Sequence, residues 1–399
     1  MSWEFVRADE FCDSVRDGTH DTPKPSDIGH KLVTGKHIKN GQIDPTDAYY
    51  ISEADYKKIN ERSLVEQWDV LMSMIGTVGE VAVVKNHPDY AIKNVALFKC
   101  GGSEIKGKWL SYYLQTPEAR GHMSGNQKGS SQQFLSLKQL RSLPIPNPDD
   151  EIMEAAVNIL SSYDDLIENN QKQIKLLEEA AQRLYKEWFV DLRFSGYENT
   201  PIVDGVPEGW VTGKFSDYTD IMSGGTPKTD VAEFYRGNIP FYTPKDSDGS
   251  FFAFDTLTHI SESGLAHCNS RLYPAGTVII TARGTVGKTT ILAVPMAMNQ
   301  SCYALKCDTL NSPYYLFFSL NSEVEKLKTM ANGGVFNTII VKTFDQISLT
   351  IPKAEVLQAF DQRVTPIMAQ IKAKMGQISL LKEARDRLLP KLMSGEIDV

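Results

Sequence analysis

The chain repeats itself, and this repetition constrains its fold more than any other feature. The segment QIKLLEEAAQRL (Gln173 to Leu184) returns as QISLLKEARDRL (Gln377 to Leu388), at an offset of 204 residues. The segments Tyr50 to Val84 and His259 to Val294 also correspond, and both contain I-S-E, N-x-R and G-T-V-G in that order. Two copies of one unit of roughly 200 residues are therefore expected to share one fold.

Composition limits the class of protein. With 399 residues, 41% of them hydrophobic, the chain can bury several ordinary cores. It contains no apolar run long enough for a membrane helix, and MSWEFVRADEF has none of the features of a signal peptide, so we expect a cytoplasmic protein without membrane partners. The net charge of −8 argues against a broadly basic nucleic-acid binder, so any DNA contact should be local or shared with a partner.

The five cysteines indicate neither a disulfide framework nor a zinc site. They are odd in number and include no C-x-x-C pair. We expect reduced, buried thiols and no metal-binding residues. The five positions are Cys12, Cys100, Cys268, Cys302 and Cys307.

Each half divides into a mixed segment and a helical segment. The mixed segments are rich in Gly, Pro, Thr and aromatic residues and contain short strand-like runs such as VLMSMI and TVIIT. Each then passes through P-x-P or I-P-K into a segment almost without glycine. The predicted boundaries are 1–149 for a first α/β domain, 150–192 for a first helix, 193–353 for a second α/β domain, and 354–399 for a second helix with a C-terminal tail.

Both helical segments have an apolar period of 3.5 residues, which is typical of a coiled-coil seam. The first seam includes Leu160, Ile167, Asn170, Ile174, Leu177 and Leu184, and the second includes Ile371, Lys374, Ile378, Leu381 and Leu388. In the second seam Ile367 follows Val364. Pro366 predicts that this helix begins, or bends, near Thr365, because proline removes a helical hydrogen bond.

The two seams are expected to pack on each other in antiparallel fashion. Two similar units that pair through the same surface favour two-fold symmetry. Asn170 and Lys374 should meet near the middle, and Arg385 should lie near the open end of the seam, where its charge can reach water. The predicted fold class is α+β, with two α/β domains arranged with pseudo-two-fold symmetry about two long helices that form an antiparallel coiled coil.

Four segments carry a resemblance to a known family. They are RLYKEWFVDLRFSGYE (Arg183 to Glu198), VPEGW (Val206 to Trp210), SGGTPKT (Ser223 to Thr229) and RDRLLPKLMSGEIDV (Arg385 to Val399). On these segments the chain resembles, over its whole length, the specificity subunits of type I restriction-modification systems (HsdS). It departs from the family at Ser195, where proline is more usual, and this affects only a turn.

The resemblance implies a function in DNA recognition. Two target recognition domains would each read one half of a bipartite, asymmetric DNA site, and the helices would set the spacer and dock two modification subunits. Two restriction subunits would bind through these. The chain itself would not be an enzyme, and S-adenosylmethionine, ATP and Mg would be bound only by partner subunits. A specificity subunit of a nuclease-methyltransferase fusion system is the alternative.

Two motifs suggest enzymes instead. ARGTVGKT (Ala282 to Thr289) is close to the phosphate-binding loop of P-loop NTPases, but the following TILAVP is β-branched and the first copy has Glu80 in place of the lysine. Pro88-Asp89 and Glu104-Ile105-Lys106 fit a loose nuclease pattern that arises often by chance. The N-P-P-Y and G-x-G motifs of amino-methyltransferases are absent. We favour a tight turn between strands at 282–289, with two cations that touch DNA.

The candidate DNA-binding residues lie in polar loops that differ between the halves. Base edges are read by Arg, Lys, Asn, Gln and Ser, and phosphates by Lys, Arg and backbone amides. A solvated loop without a DNA contact is the alternative for each. Because the loops differ while the frame repeats, two different half-sites are expected. The candidates are Lys36, Lys39, Asn40, Lys128, Ser131, Gln132 and Gln133 in the first half and Lys245, Arg283, Lys288 and Asn337 in the second.

Overall fold

The computed structural model describes residues 3–76, 78–124, 135–330, 338–397 and 399. The chain divides into two units, which are unit 1 (Met1–Glu168 with Ser379–Val399) and unit 2 (Asn169–Ile378). This division cuts each long helix in two, whereas the predicted boundaries treat each helix as a segment of its own. None of the helices in the described ranges is long and apolar enough to cross a membrane.

Unit 1 is built on a four-stranded antiparallel sheet, β2-β10-β7-β8, and a three-stranded sheet, β6-β3-β9. Its strands are β1 Phe5–Arg7, β2 Ser14–Asp17, β3 His30–Val33, β4 Ile38–Lys39, β5 Gln42–Ile43, β6 Tyr50–Ile51, β7 Val70–Ser73, β8 Val81–Val83, β9 Tyr90–Ile92, β10 Val95–Lys99 and β11 Pro144–Pro146. Its helices are α1 Ala8–Phe11, α2 Glu53–Ser63, α3 Glu104–Leu114, α4 Pro117–Ser124, α5 Leu137–Arg141 and the first part of α6 Asp150–Tyr185.

The central strands of unit 1 are buried on both faces, because alternate side chains point to opposite sides of a sheet. Val70 and Phe98 pack into a cluster that also contains Trp109 of α3. Their neighbours Leu71 and Leu97 pack into a second cluster on the other face. This double burial explains why VLMSMI reads as a continuous apolar run rather than an alternating one.

Unit 2 repeats this frame. Its sheets have the orders β15-β22-β19-β20-β17 and β18-β16-β21, so four neighbouring strands and the three-stranded sheet correspond to those of unit 1. The strands are β12 Ile202–Val203, β13 Val206–Pro207, β14 Val211–Lys214, β15 Asp220–Ser223, β16 Ile239–Tyr242, β17 Phe252–Ala253, β18 His259–Ile260, β19 Val278–Thr281, β20 Thr289–Leu292, β21 Ala297–Met298, β22 Cys302–Lys306 and β23 Ser348–Ile351. The helices are α7 Phe215–Tyr218, α8 Glu262–Ala266, α9 Pro313–Met330 and α10 Ala354–Ser394, of which the last part belongs to unit 1.

Within unit 1, the long helices pair in antiparallel fashion. The early part of α6 packs against the end of α10, with Leu160 and Leu392 in one buried cluster. The guanidinium of Arg385 bonds the Asp164 carboxylate at 2.6 Å, and the Tyr112 hydroxyl donates to the other oxygen of that carboxylate, also at 2.6 Å. The sequence predicted that the charge of Arg385 would reach water. Instead the side chain is held by this ion pair. Its side chain is 25% exposed and links α10 to α6.

Within unit 2, the later part of α6 packs against the beginning of α10, again in antiparallel fashion. Ala181 of α6, and Trp188 in the π-helical segment Lys186–Val190 that continues it, share a buried cluster with Phe360 and Val364. The Asn170 amide donates to Gln377 at 3.4 Å, so its partner is Gln377 rather than the predicted Lys374. Of the predicted seam residues, Leu160, Ile167, Asn170 and Ile371 are buried, and Ile174, Leu177, Leu184, Lys374, Ile378, Leu381 and Leu388 are partly buried.

Two details of α10 differ from the prediction. The helix runs from Ala354 through Pro366, so it does not begin near Thr365. Pro366 is exposed, whereas Val364 and Met368 on either side are fully buried. Met368, which the predicted seam omits, is more deeply buried than Ile367. The cysteines are free thiols, as expected, and all are buried except Cys268, which is partly exposed.

His30 ties β3 to α2 and to the loop before β9. Its ring nitrogens lie 2.5 Å from Asp89 and 2.6 Å from Glu53, and its ring stacks on Tyr56. The hydrogen bonds to Glu53 and then Asp89 raise the pKa of His30, and burial opposes this only in part. Protonated His30 therefore stabilises the folded chain fully below the unfolded pKa of about 6.5, and this is lost as pH rises through the raised folded pKa.

Replacing His30 with glutamine is accordingly expected to lower the melting temperature more at pH 6 than at pH 9. Glu53 stays ionised at pH 6 because its hydrogen bond to His30 lowers its pKa. The difference should be small, because both carboxylates are exposed and water screens their attraction to the ring. Thermal unfolding at the two pH values measures it, with the exposed His87→Gln as control. An equal loss for His30→Gln at both values would show that the charge contributes nothing.

Candidate nucleic-acid interface

The first predicted loop of unit 1 is a short 3-10 turn followed by a hairpin. In the turn Gly35–His37, the backbone N–H of Thr34 donates to Nδ1 of buried His37 at 2.8 Å. Burial, and then the charge of Lys36, lowers the pKa of His37, so the ring is a neutral acceptor. Lys36 is exposed and lies 3.2 Å from Asp47.

The hairpin that follows joins β4 to β5 through Asn40 and Gly41, both of which have positive φ (52° and 75°). This is the pattern of a type I′ turn, which favours Asn-Gly. The conformation of the turn is therefore enough to explain an asparagine at position 40, with or without a DNA contact by its side chain. Lys39 and Asn40 are exposed at the tip, and the Asn40 N–H donates to the Glu80 carboxylate at 3.3 Å.

Unit 2 has the same turn with different side chains. The turn Pro244–Asp246 follows Thr243, whose N–H and hydroxyl donate to the Asp246 carboxylate at 2.8 and 2.7 Å. Asp246 thus accepts the hydrogen bond from the threonine N–H that His37 accepts in unit 1. Lys245 is exposed at the place of Lys36. Sequence reasoning missed both anchors, although their position three residues after a threonine was visible.

In each unit the G-T-V-G segment connects two antiparallel strands, β7 and β8 in unit 1 and β19 and β20 in unit 2. β19 and β20 are antiparallel, with Ile280 opposite Thr289, and Gly284 and Gly287 have positive φ. The Thr281 hydroxyl accepts the Lys288 N–H at 3.0 Å, just as Ser73 accepts the Glu80 N–H at 2.9 Å in unit 1. Because a strand and not a helix follows the turn, the P-loop alternative is wrong.

The acidic residues of the nuclease pattern are engaged in separate structural contacts. Asp89 bonds His30, and Glu104 begins α3 and pairs with Lys108 at 2.7 Å. Among the residues with described positions, no group of three or more His, Cys, Asp or Glu residues could hold a metal ion.

The structure brings the two turns of each unit together. In unit 2 the Thr285 hydroxyl donates to the Pro244 carbonyl at 3.1 Å, so Lys245, Arg283 and Lys288 project, all exposed, from adjoining loops. In unit 1 a Cβ on Gly35 would lie 3.2 Å from that of Ser73, so the turn sits against the end of β7. Unit 1 has Glu80 at the place of Lys288, which makes the two surfaces electrostatically different.

A third loop ends beside the hairpin turn in both units. The N–H of Leu135 donates to the Met74 carbonyl at 3.3 Å, and that of Ile339 donates to the Ala282 carbonyl at 2.9 Å. Met74 and Ala282 occupy corresponding places before the two hairpin turns. The predicted residues of these third loops lie outside the described residues, and they are Lys128, Ser131, Gln132 and Gln133 in 125–134 and Asn337 in 331–337.

Known proteins resemble this chain over nearly its whole length. A family model for the type I restriction modification DNA specificity domain matches residues 1–179 and 207–377. The type I restriction enzyme MjaIX specificity subunit of Methanocaldococcus jannaschii is 26% identical over 386 residues, which cover 92% of this chain and 86% of that protein. The putative MjaX specificity subunit of the same organism is 22% identical over 408 residues, covering 100% and 94%.

A solved structure shares the fold. The S subunit of a type I restriction-modification system from M. genitalium matches with a TM-score of 0.59 at 14% sequence identity, over 98% of this chain and 96% of that one. The family model covers both halves of the chain, each of which contains one copy of the repeated frame. The chain therefore belongs to the DNA specificity subunits of type I restriction-modification systems.

Proposed function

We propose that each unit reads one half of a bipartite, asymmetric DNA site. The observation that carries this proposal is the repetition of one loop arrangement on two frames with different side chains. The Thr34 and Thr243 turns, the two G-T-V-G hairpins and the anchored ends at Leu135 and Ile339 correspond in position. Their side chains correspond only in part: both turns carry an exposed lysine, Lys36 or Lys245, but Glu80 stands where unit 2 has Lys288. Different side chains on matching frames are what two different half-sites require.

The long helices would set the spacer between the half-sites and dock two modification subunits. Exposed apolar side chains on both helices support docking, because such residues are common in interfaces. Leu166 and Leu176 on α6 are 52% and 65% exposed, and Leu380 on α10 is 67% exposed. Two restriction subunits would join through the modification subunits, all in the cytoplasm. A nuclease-methyltransferase fusion is the alternative partner.

In this proposal the chain supplies recognition and no catalysis. S-adenosylmethionine, ATP and Mg would be bound by the partner subunits alone. The test is to express a cognate modification subunit with and without this chain and to map methylated bases across a genome. We expect one bipartite motif with a fixed spacer, which disappears without the chain. Sequence-specific methylation that persists after the chain is removed would contradict the proposal.

The three exposed cations of unit 2 provide a quantitative test. Replacing Lys245, Arg283 and Lys288 with alanine should make the dependence of log K on log salt shallower by roughly 3, if each contacts one phosphate. DNA binding by the complex at about 0.15 M salt should weaken on the order of 100-fold. Fluorescence anisotropy across a salt series measures both quantities.

The control for this triple variant removes equal charge outside the three loops, at Arg193, Lys214 and Lys306, which are all exposed. We expect the salt dependence of the control to stay close to that of the unchanged complex. If both triple variants changed the slope equally, the effect would come from net charge rather than from contacts at the loops.

A further inference from the structure

A row of strand ends lies beside the Thr34 turn in unit 1. Strands β3 and β9 are parallel and end together, with Val33 opposite Ile92. The Lys93 N–H donates to the Val33 carbonyl at 2.9 Å, which places Lys93 and Asn94 next to the turn. Thr19 pairs with Lys93 on the other side. The row therefore runs from the Thr34 turn through Lys93 and Asn94 to the segment after Gly18.

Unit 2 contains the same row. Strands β16 and β21 are parallel, with Tyr242 opposite Met298, and the Asn299 N–H donates to the Tyr242 carbonyl at 3.0 Å. Gly224 approaches so closely that a Cβ there would lie 2.3 Å from the Met298 carbonyl oxygen, and Gly18 is equally close, at 2.4 Å, to that of Ile92. Glycine is needed at both places because any side chain would collide with backbone.

An amide side chain stands at the same point of each row, already oriented by a neighbour. Nδ1 of His20 lies 2.8 Å from the Asn94 amide oxygen. In unit 2 the Thr226 hydroxyl donates to the amide oxygen of Gln300, which is exposed. Asn94 has a φ of 52°, a conformation that asparagine tolerates better than most residues. The amides differ in length, although their places in the two frames agree.

The N-x-R segments bring an arginine to each row. Arg62 pairs with buried Asp17 of β2 and is itself 59% exposed, so this carboxylate is neutralised. In unit 2 the Ser270 hydroxyl accepts the Met298 N–H at 3.1 Å, which fixes the segment that carries exposed Arg271 to the end of β21. Each row thus combines an oriented amide with an arginine, next to a turn with an exposed lysine.

We propose that the DNA-reading surface of each unit extends along this row, with Asn94 and Gln300 reading a base edge and Arg62 and Arg271 contacting phosphates. A side-chain amide offers a donor and an acceptor together, the pattern that pairs bidentately with adenine. An amide that is already oriented loses less freedom when it binds. The row adjoins the Lys36 and Lys245 turns, because Lys93 and Asn299 are bonded to the strand ends that lead into those turns. This inference rests on the proposed function.

The decisive variant is Gln300→Ala in the complex with the modification subunit. Methylation at the cognate site should fall roughly 5- to 150-fold, the usual cost of one bidentate base contact. The loss should map to one base pair of one half-site and leave the other half-site unchanged. Gln300→Glu should shift that position towards cytosine, because a carboxylate accepts from the cytosine amino group. Methylation kinetics on oligonucleotides that vary each base pair measure both effects.

Two further variants separate reading from folding. Thr226→Val removes only the orienting hydroxyl and should weaken the same base pair to a smaller extent. Arg271→Ala should weaken binding evenly across sequences and make the salt slope shallower by about 1. Asn199→Ala, an exposed amide outside the row, is the control and should change neither quantity. Melting temperatures of all variants should match that of the unchanged chain.

Specific outcomes would overturn the proposal. Gln300→Ala and Arg271→Ala could both leave the recognised motif, the methylation rate and the salt dependence of binding unchanged. The row would then not contact DNA, but the proposal that each unit reads one half-site would be unaffected. An equal loss of recognition at both half-sites would show that Gln300 stabilises the protein rather than reads a base. If the unchanged complex methylated DNA without sequence preference, the proposed function itself would fail, and the row with it.

Discussion

Replacing Phe360 with alanine is expected to destabilise unit 2 by about 3–5 kcal/mol. Phe360 on α10 is fully buried, and its ring centre lies 5.0 Å from that of Phe189 and 6.2 Å from that of Trp188, both in the short π-helical segment Lys186–Val190 that follows α6. The ring of Tyr315 on α9 packs against it at 6.5 Å. Alanine would leave a cavity where both long helices meet the globular part of the unit, so the loss should be near the upper end for a core position.

Urea unfolding followed by amide hydrogen exchange is the suitable measurement, because exchange reports each unit separately and a two-unit chain need not unfold in one step. Residues of α9 should lose protection in Phe360→Ala, and those of α3 should keep it. The matched control is Leu176→Ala, an apolar residue of α6 that is 65% exposed and should cost less than about 0.5 kcal/mol. A loss below about 1 kcal/mol for Phe360→Ala would contradict the packing described.

The helix pair shows what a heptad pattern can and cannot predict. A 3.5-residue period identifies the buried stripe, and it predicted Leu160, Ile167 and Ile371 as buried residues. It does not fix the stagger between the helices, so Asn170 meets Gln377 and not Lys374, three residues away. The stagger depends on contacts between distant segments, such as the bonds from Asp164 to Arg385 and Tyr112.

Pro366 shows tertiary packing overriding a local signal. Proline inside a helix costs about 3 kcal/mol, and this cost predicted an end or a bend near Thr365. The helix continues because Val364 and Met368, on the buried side of the same turn, are completely enclosed. Pro366 itself is exposed. Burial on one face thus keeps the segment helical where propensity alone would end it.

The candidate interface was predictable where its residues are close in sequence. The hairpin turn at 282–289 could be predicted from the glycine spacing and the β-branched neighbours. The exposure of its two cations, Arg283 and Lys288, could be predicted from their residue type. The row of Asn94 and Gln300 was missed because its members come from segments distant in sequence, which meet through parallel strand pairing and side-chain contacts. The one available signal was the shared offset of 206 residues between Asn94 and Gln300 and between Gly18 and Gly224. Loop insertions concealed it.

Replacing Gln132 and Gln133 together with alanine is expected to abolish recognition of one half-site and to leave the other readable. Each lost bidentate contact should cost roughly 1–3 kcal/mol, so the double variant should lose about 2–6 kcal/mol of discrimination. The physical reason lies in the described residues around them. Leu135, which follows these loop residues in sequence, is fixed to Met74 by a hydrogen bond beside the hairpin turn of unit 1, where we expect the recognised bases to lie.

The measurement is the methylation rate on oligonucleotides that vary one half-site at a time, with the complex fully assembled. The half-site read by unit 2 serves as an internal control, since Lys245 and Arg283 lie on a separate set of loops. A change at that half-site, or an equal loss at both, would contradict two independent readers. An unchanged preference at both would place the amides away from the bases and favour a solvated loop. A loss of recognition confined to one half-site requires that the loops of each unit recognise their half-site independently.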